Sequence, residues 1–241
     1  MATYVLVHGA WHTGELLEDV ARPIRAQGHQ VHCPTLAGNR PGDSKKVGLN
    51  DAVGSLLGYF DQHRLSDVVL LVHSYGGMVI TPAAEALGNR VRRLVYWNAF
   101  VPRSGESLND MVPPHYASLF DQIEKERGDG SVVLPFPIWR EAFINDADLA
   151  LATSAFERLN PHPYKTLTDK ISLKQPLAEL QIGKSYVNCQ QDISLPHSLP
   201  WHPRLSERLG LFRLVECPGS HEIWFTDPQT IARAIVAAGR D

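Results

Sequence analysis

LLVHSYGGMVIT, residues 70–81, decides how the rest of this 241-residue chain is read. An apolar run, Val68-Val69-Leu70-Leu71-Val72, meets Ser74 and two glycines, and then gives way to an alanine-rich stretch that ends near Gly88. That order spells a strand, a very tight turn and a helix. A serine at such a turn projects its hydroxyl above the carboxyl edge of a sheet, where the start of the next helix presents partly positive N–H groups. Gly76 and Gly77 leave room for the turn and for the helix to pack closely on the strand. One position departs from the nucleophile-elbow pattern Gly-x-Ser-x-Gly: Val72 stands where the first glycine belongs.

On either side of this stretch, short apolar runs alternate with helically spaced segments. Strands are expected at 3–9, 30–33, 67–73, 92–100, 185–189 and 211–217, apolar throughout, as in a parallel sheet covered on both faces. Helices are expected over 15–27, 50–63 (capped by Asn50 or Asp51), 75–88 and 197–209, and from Asp227-Pro228 to about Ala238. The fold class is therefore α/β, a mostly parallel sheet of about six strands with helices on both faces. Between about 104 and 180 proline and aromatics recur and no strand is obvious. This segment reads as a helical cap inserted into a single domain.

A serine hydroxyl is a weak nucleophile until a base accepts its proton, and the base needs a carboxylate to fix its tautomer. Among eleven histidines, His221 is the best placed: in CPGSHEIWFTDP it follows the last strand and precedes the last helix. Asp192, in YVNCQQDISLP, follows the strand before it. The order Ser74, Asp192, His221 is that of α/β-hydrolases. The alternative acid position, at the end of the strand after the elbow, holds Asn98, which carries no charge. After VLVHG the backbone turns through Gly9, Ala10 and Trp11, and an N–H there can pair with that of Tyr75 to hold an oxyanion.

Composition narrows the partners. Lys and Arg total 23 against 26 Asp and Glu, a net charge of −3, which recruits neither nucleic acid nor an anionic membrane. The three cysteines have no metal-type spacing and no even disulfide framework. No run approaches the roughly 20 apolar residues of a membrane span, and MATYVLVHGAWH lacks the features of a secretory leader. A cytoplasmic protein acting on a small molecule is expected, with a homodimer left open.

VLVHGAWHTG, VHSYGGMV, NAFVPRSGESL, the QQD segment and PGSHEIWFTDP together resemble the compact α/β-hydrolases that include plant methylesterases, hydroxynitrile lyases and bacterial arylesterases. The resemblance covers roughly 1–110 and 180–241. It implies the α/β-hydrolase fold, Ser74 as nucleophile, His221 as base, Asp192 as the acid, and Ala10 and Tyr75 as oxyanion donors, with no metal or organic cofactor. Trp11, His12, Phe100, Trp139 and Phe143 are expected to wall a pocket for a small apolar or aromatic ester, lactone or thioester. Three alternatives stand beside ester hydrolysis: a hydroxynitrile lyase, a cofactor-free dioxygenase and a ligand receptor without catalysis. One branch of the lyases carries a lysine after the histidine, where this chain has Glu222, and the dioxygenases tend to carry their acid where this chain has Asn98.

Overall fold

The structure, a computed structural model, describes residues 1–240. Its centre is a six-stranded sheet in the order β2-β1-β3-β4-β7-β8, every neighbouring pair parallel. The strands are β1 (Thr3–Val7), β2 (Gln30–His32), β3 (Val68–His73), β4 (Val91–Trp97), β7 (Gly183–Cys189) and β8 (Arg213–Cys217). All six expected strands are present, with ends shifted by a few residues. β4 is shorter than the apolar run 92–100 implied, because Asn98 leaves the extended conformation at φ +33.

Alternate residues on a strand point to opposite faces, and two cores follow from that. Val5, Val7, Leu70 and Val72 pack with residues of α2 (Leu49–Gln62) and α3 (Gly77–Leu87). Tyr4, Leu6, Val69 and Leu71 pack with α1 (Glu18–Ala26) and the final helix Pro228–Ala238. Both faces being covered, the strands can be apolar throughout, and β3 is buried at all six positions. The final helix starts as expected, with the Asp227 carboxylate accepting the Thr230 N–H at 3.0 Å. The cap of α2 differs: Gly48 is the N-cap, and Asp51 sits in the first turn, its carboxylate accepting the Gly48 N–H at 2.7 Å. Asp169 supplies a second acceptor, taking the Leu49 N–H at 2.9 Å.

Between β4 and β7 the chain leaves the sheet for residues 98–182. This excursion holds α4 (Pro114–Arg127), a longer helix than the proline-rich composition suggested, and a two-stranded antiparallel ribbon, β5 (Ser131–Val132) and β6 (His162–Pro163). A π-helical turn over Trp139–Phe143 follows the ribbon's first strand. The helix expected over 197–209 is absent among the described residues: the segment is turns closed by one 3-10 turn, Ser206–Leu209. Pro200 and Pro203 fall inside it, where each would remove a helical N–H donor. No helix among the described residues is long and apolar enough to cross a membrane.

Candidate active site

Ser74 follows directly on β3 and opens the 3-10 turn that leads into α3. Its φ is +53, the left-handed region that a side chain rarely adopts. Backbone strain of this kind, of order 1–3 kcal/mol, persists only where the surroundings enforce it. Here they do. The Ser74 carbonyl accepts the Phe100 N–H at 3.1 Å, and β3 is paired on both sides along its length. The serine is buried to 8% exposure and lines a cleft with about 400 Å³ of empty space, its open mouth included.

The loop after β1 comes up beside the elbow. A Cβ on Gly9 would lie 3.0 Å from the Ser74 Cβ and 2.8 Å from the His73 ring, so glycine is required for the approach. Ala10 and Tyr75 both line the cleft next to Ser74. Among the described residues the Ala10 N–H donates to no protein acceptor, and Tyr75 stands in the first turn of its helix, where N–H groups lack intrahelical partners. The loop is fixed from the excursion: the Trp11 carbonyl accepts the Asn160 N–H at 2.7 Å, and Trp11 Nε1 donates to the Val132 carbonyl at 3.2 Å.

Asp192 and His221 follow β7 and β8, two neighbouring strands in register at their carboxyl ends. Parallel pairing therefore brings both loops out at the same sheet edge. Gln191 ties them together, its N–H donating to the Gly219 carbonyl at 3.1 Å. His221 Nδ1 lies 2.6 Å from Asp192 Oδ2, with both side chains essentially shut off from solvent. Burial opposes charge on this imidazole, but the Asp192 charge, the hydrogen bond to it and the Glu222 charge together raise its pKa above the ordinary histidine value. The ring stacks on Trp201 (centroids 5.2 Å, planes 13° apart) and meets Phe143 edge-on at 5.3 Å. Both aromatics line the cleft that Ser74 lines. Among the described residues the His221 ring hydrogen-bonds to Asp192 alone, through Nδ1, and Nε2 has no protein partner.

Three side chains that the sequence reading left aside complete the surroundings of Asp192. Ser194 gives its N–H (2.9 Å) and its hydroxyl (2.5 Å) to Oδ1. The Asn98 amide reaches Oδ2 at 2.5 Å. Trp201 Nε1 donates to the Ser194 hydroxyl oxygen at 3.2 Å. The Ser194 contact has a sequence signature, an Asp followed two residues on by Ser, as in turns where the side chain folds back on its own backbone. The Trp201 contact has none.

Of the five residues expected on the pocket wall, Trp11, Phe100 and Phe143 line the cleft. His12 and Trp139 lie outside it. With Trp11 at φ +64 the chain reverses direction, and His12 turns to the other side of the loop, against Glu222 (Nε2 to Oε2 3.1 Å), Trp224 and Phe225. Trp139 is wholly buried and donates to the Ala152 carbonyl at 2.9 Å, a packing position within the excursion. The remaining wall is Leu108, Val112, Tyr116, Phe120, Leu167, Ser194 and Leu195, so no charged side chain lines the cleft.

His73, His221 and Glu222 bring potential ligand atoms within 4.8 Å of one another. Within the set, His73 Nε2 lies 3.1 Å from the His221 carbonyl, His221 Nδ1 2.6 Å from Asp192 Oδ2 and Glu222 Oε2 3.1 Å from His12 Nε2.

Comparison with known proteins agrees with this architecture. Residues 4–234 match the model of the alpha/beta hydrolase family. A carbendazim hydrolyzing esterase of Nocardioides is 43% identical over 116 residues, a segment spanning 47% of this chain and 48% of that protein. Methylesterase 18 of Arabidopsis thaliana is 27% identical over 98% of this chain and 96% of its own length. An extracellular alpha/beta-hydrolase from a Paenibacillus species, described as sharing structural and functional homology with tobacco salicylic acid binding protein 2, superimposes with a TM-score of 0.96 at 35% identity, over the full length of both chains. The chain belongs to the alpha/beta hydrolase family and resembles its plant methylesterases and bacterial esterases.

Proposed function

We propose that the protein is a carboxylic ester hydrolase that cleaves small, uncharged esters with an apolar or aromatic portion through an acyl-enzyme on Ser74. The observation that carries this reading is the Asp192–His221 pair, 2.6 Å apart and buried, its imidazole packed on Phe143 and Trp201, two walls of the cleft that Ser74 lines at a strained φ of +53. Ser74 Oγ attacks the ester carbonyl while His221 Nε2 takes its proton, and Asp192 stabilises the imidazolium that forms. The N–H groups of Ala10 and Tyr75 receive the developing oxyanion. On collapse His221 returns the proton to the leaving alcohol, and a water activated by the same imidazole then releases the acid.

The chemistry of the wall supports the substrate class. A cleft lined by Phe100, Phe120, Phe143, Trp11 and Trp201 with no charged side chain rewards apolar surface and offers no partner to a carboxylate or ammonium group. The relatives named as esterases and hydrolases are in keeping with it. The segment 98–182 acts as a cap inserted into one domain, supplying Leu108, Phe120 and Phe143 to the wall.

A fluorophosphonate probe tests the nucleophile: it labels the wild type and fails to label Ser74→Ala. Labelling that survives the substitution, or is missing from the folded wild type, removes the proposal and favours a ligand receptor. Turnover of p-nitrophenyl esters, set against release of cyanide from mandelonitrile and against oxygen uptake, separates the esterase from the lyase and the dioxygenase.

A further inference from the structure

Directly after the strand that follows the elbow comes Asn98, a wholly buried residue held at φ +33. Its side chain makes two short contacts and a longer one, Nδ2 to the Cys189 carbonyl at 3.5 Å. The amide oxygen accepts the Cys189 N–H at 2.6 Å, and Nδ2 lies 2.5 Å from Asp192 Oδ2. The first contact orients the second. Only the oxygen of the amide can accept from a backbone N–H, so the NH₂ group is the one turned toward the carboxylate.

Asp192 thereby receives four donors. Oδ1 takes the N–H and the hydroxyl of Ser194, and Oδ2 takes the His221 ring at 2.6 Å and the Asn98 amide. Asn98 and His221 share one oxygen, and this is what distinguishes the contact from ordinary strand capping. A strand end would be satisfied by the bond to Cys189 alone. The second bond instead pins the carboxylate in rotation and draws charge from the oxygen that faces the imidazole.

We propose that Asn98 is a positioning residue of the catalytic machinery, its amide holding the Asp192 carboxylate square to the His221 ring. The inference rests on the esterase reading above. A second donor on Oδ2 weakens that oxygen's hold on the imidazolium, so His221 gives up its proton at a lower pH than it would beside a carboxylate bonded to it alone. The residue after β4 thus contributes an uncharged group to a carboxylate carried on the loop after β7.

The test uses two variants. Asn98→Ala removes the amide and leaves a side chain at positive φ. Asn98→Gly removes the amide and suits that backbone conformation, so it folds where the alanine variant does not. In both, kcat toward a p-nitrophenyl ester falls about 10- to 100-fold, the range seen when a group orienting a catalytic ligand is lost. KM stays within about threefold, since nothing lining the cleft has changed. The acid limb of the kcat/KM profile moves to higher pH, and ¹⁵N NMR titration of the His221 ring moves with it. A folded Asn98→Gly protein with unchanged kcat and unchanged imidazole titration overturns the proposal, as does a change confined to KM. If the wild type has no esterase activity, the reading of function fails, and the imidazole titration of wild type against Asn98→Gly still decides the role of Asn98.

Discussion

Val72 and Gly76 fit together as a side chain and the gap left for it: a Cβ on Gly76 would run into the Val72 Cγ2 methyl and crowd the His8 carbonyl. The elbow therefore accommodates a β-branched residue at the position usually held by its first glycine, because the missing side chain of Gly76 makes the room. Gly76→Ala should destabilise the fold by about 1–3 kcal/mol, the usual cost of overpacking a tight site. Combining it with Val72→Ala should give a loss smaller than the sum of the two, a coupling that urea unfolding of the four proteins measures. Strict additivity would mean that the two residues do not share the space.

The strain at Ser74 predicts a difference between two inactive proteins. Ser74→Ala keeps a Cβ at φ +53, whereas Ser74→Gly relieves it. The glycine variant should be the more stable by about 1 kcal/mol, the left-handed penalty less the entropy cost of glycine. Equal midpoints in denaturant would argue that the turn is relaxed.

Activity should fall as the solution becomes acidic, because the base must be neutral. His221 is raised above the ordinary histidine pKa, so the acid limb of kcat/KM should lie above about pH 6.5. The Glu222 charge contributes to that shift, and Glu222→Gln should move the limb to lower pH. Replacing Asp192 by Asn leaves burial as the dominant influence and should move it lower still, with kcat reduced by up to about 10⁴-fold through loss of the correct tautomer. A limb that ignores both substitutions would mean another group is titrating.

Stability should fall with pH for a separate reason. His8, His73 and His162 are wholly buried and held below the normal histidine pKa, His8 at about 3, with burial the largest cause in each. Below about pH 6.5 the unfolded chain protonates at these three positions while the native one does not, so unfolding takes up protons and acid favours it. Each contributes roughly 1.4 kcal/mol per pH unit at the steepest. His221 opposes them: its raised pKa gives stability that is fully present below about pH 6.5 and lost as pH rises through the native value. Thermal midpoints between pH 7.5 and 5 should decline, and His162→Asn should flatten the slope.

The uncharged cleft predicts discrimination by charge. A p-nitrophenyl ester of a neutral acid should exceed the corresponding half-ester of a dicarboxylic acid by at least about 100-fold in kcat/KM, since an unpaired buried carboxylate costs several kcal/mol. Comparable rates would mean that a cation, absent from the wall as described, reaches the substrate.

What the sequence made legible follows from local rules. Apolar runs between turn residues mark all six strands because both faces of the sheet are covered, and chain order places Asp192 and His221 after neighbouring strands. The features that escaped are set by contacts distant in sequence. His12 looks like a pocket residue until Trp11 adopts a positive φ and turns it toward Glu222. Two-residue strands such as Ser131–Val132 have no periodicity to detect. Asn98 reads as the lack of an acid, and only the fold brings its amide against Asp192, 94 positions away.

The excursion 98–182 leaves the platform from the end of β4 and returns at the start of β7, two strands that lie side by side. Its two ends are therefore stitched to a rigid seam, while Ser74, Asp192 and His221 all stand on the platform itself. The segment beyond Asn98 can therefore vary its contribution to the cleft, Leu108, Phe120 and Phe143 among it, without shifting the strands that carry the serine, the aspartate and the histidine.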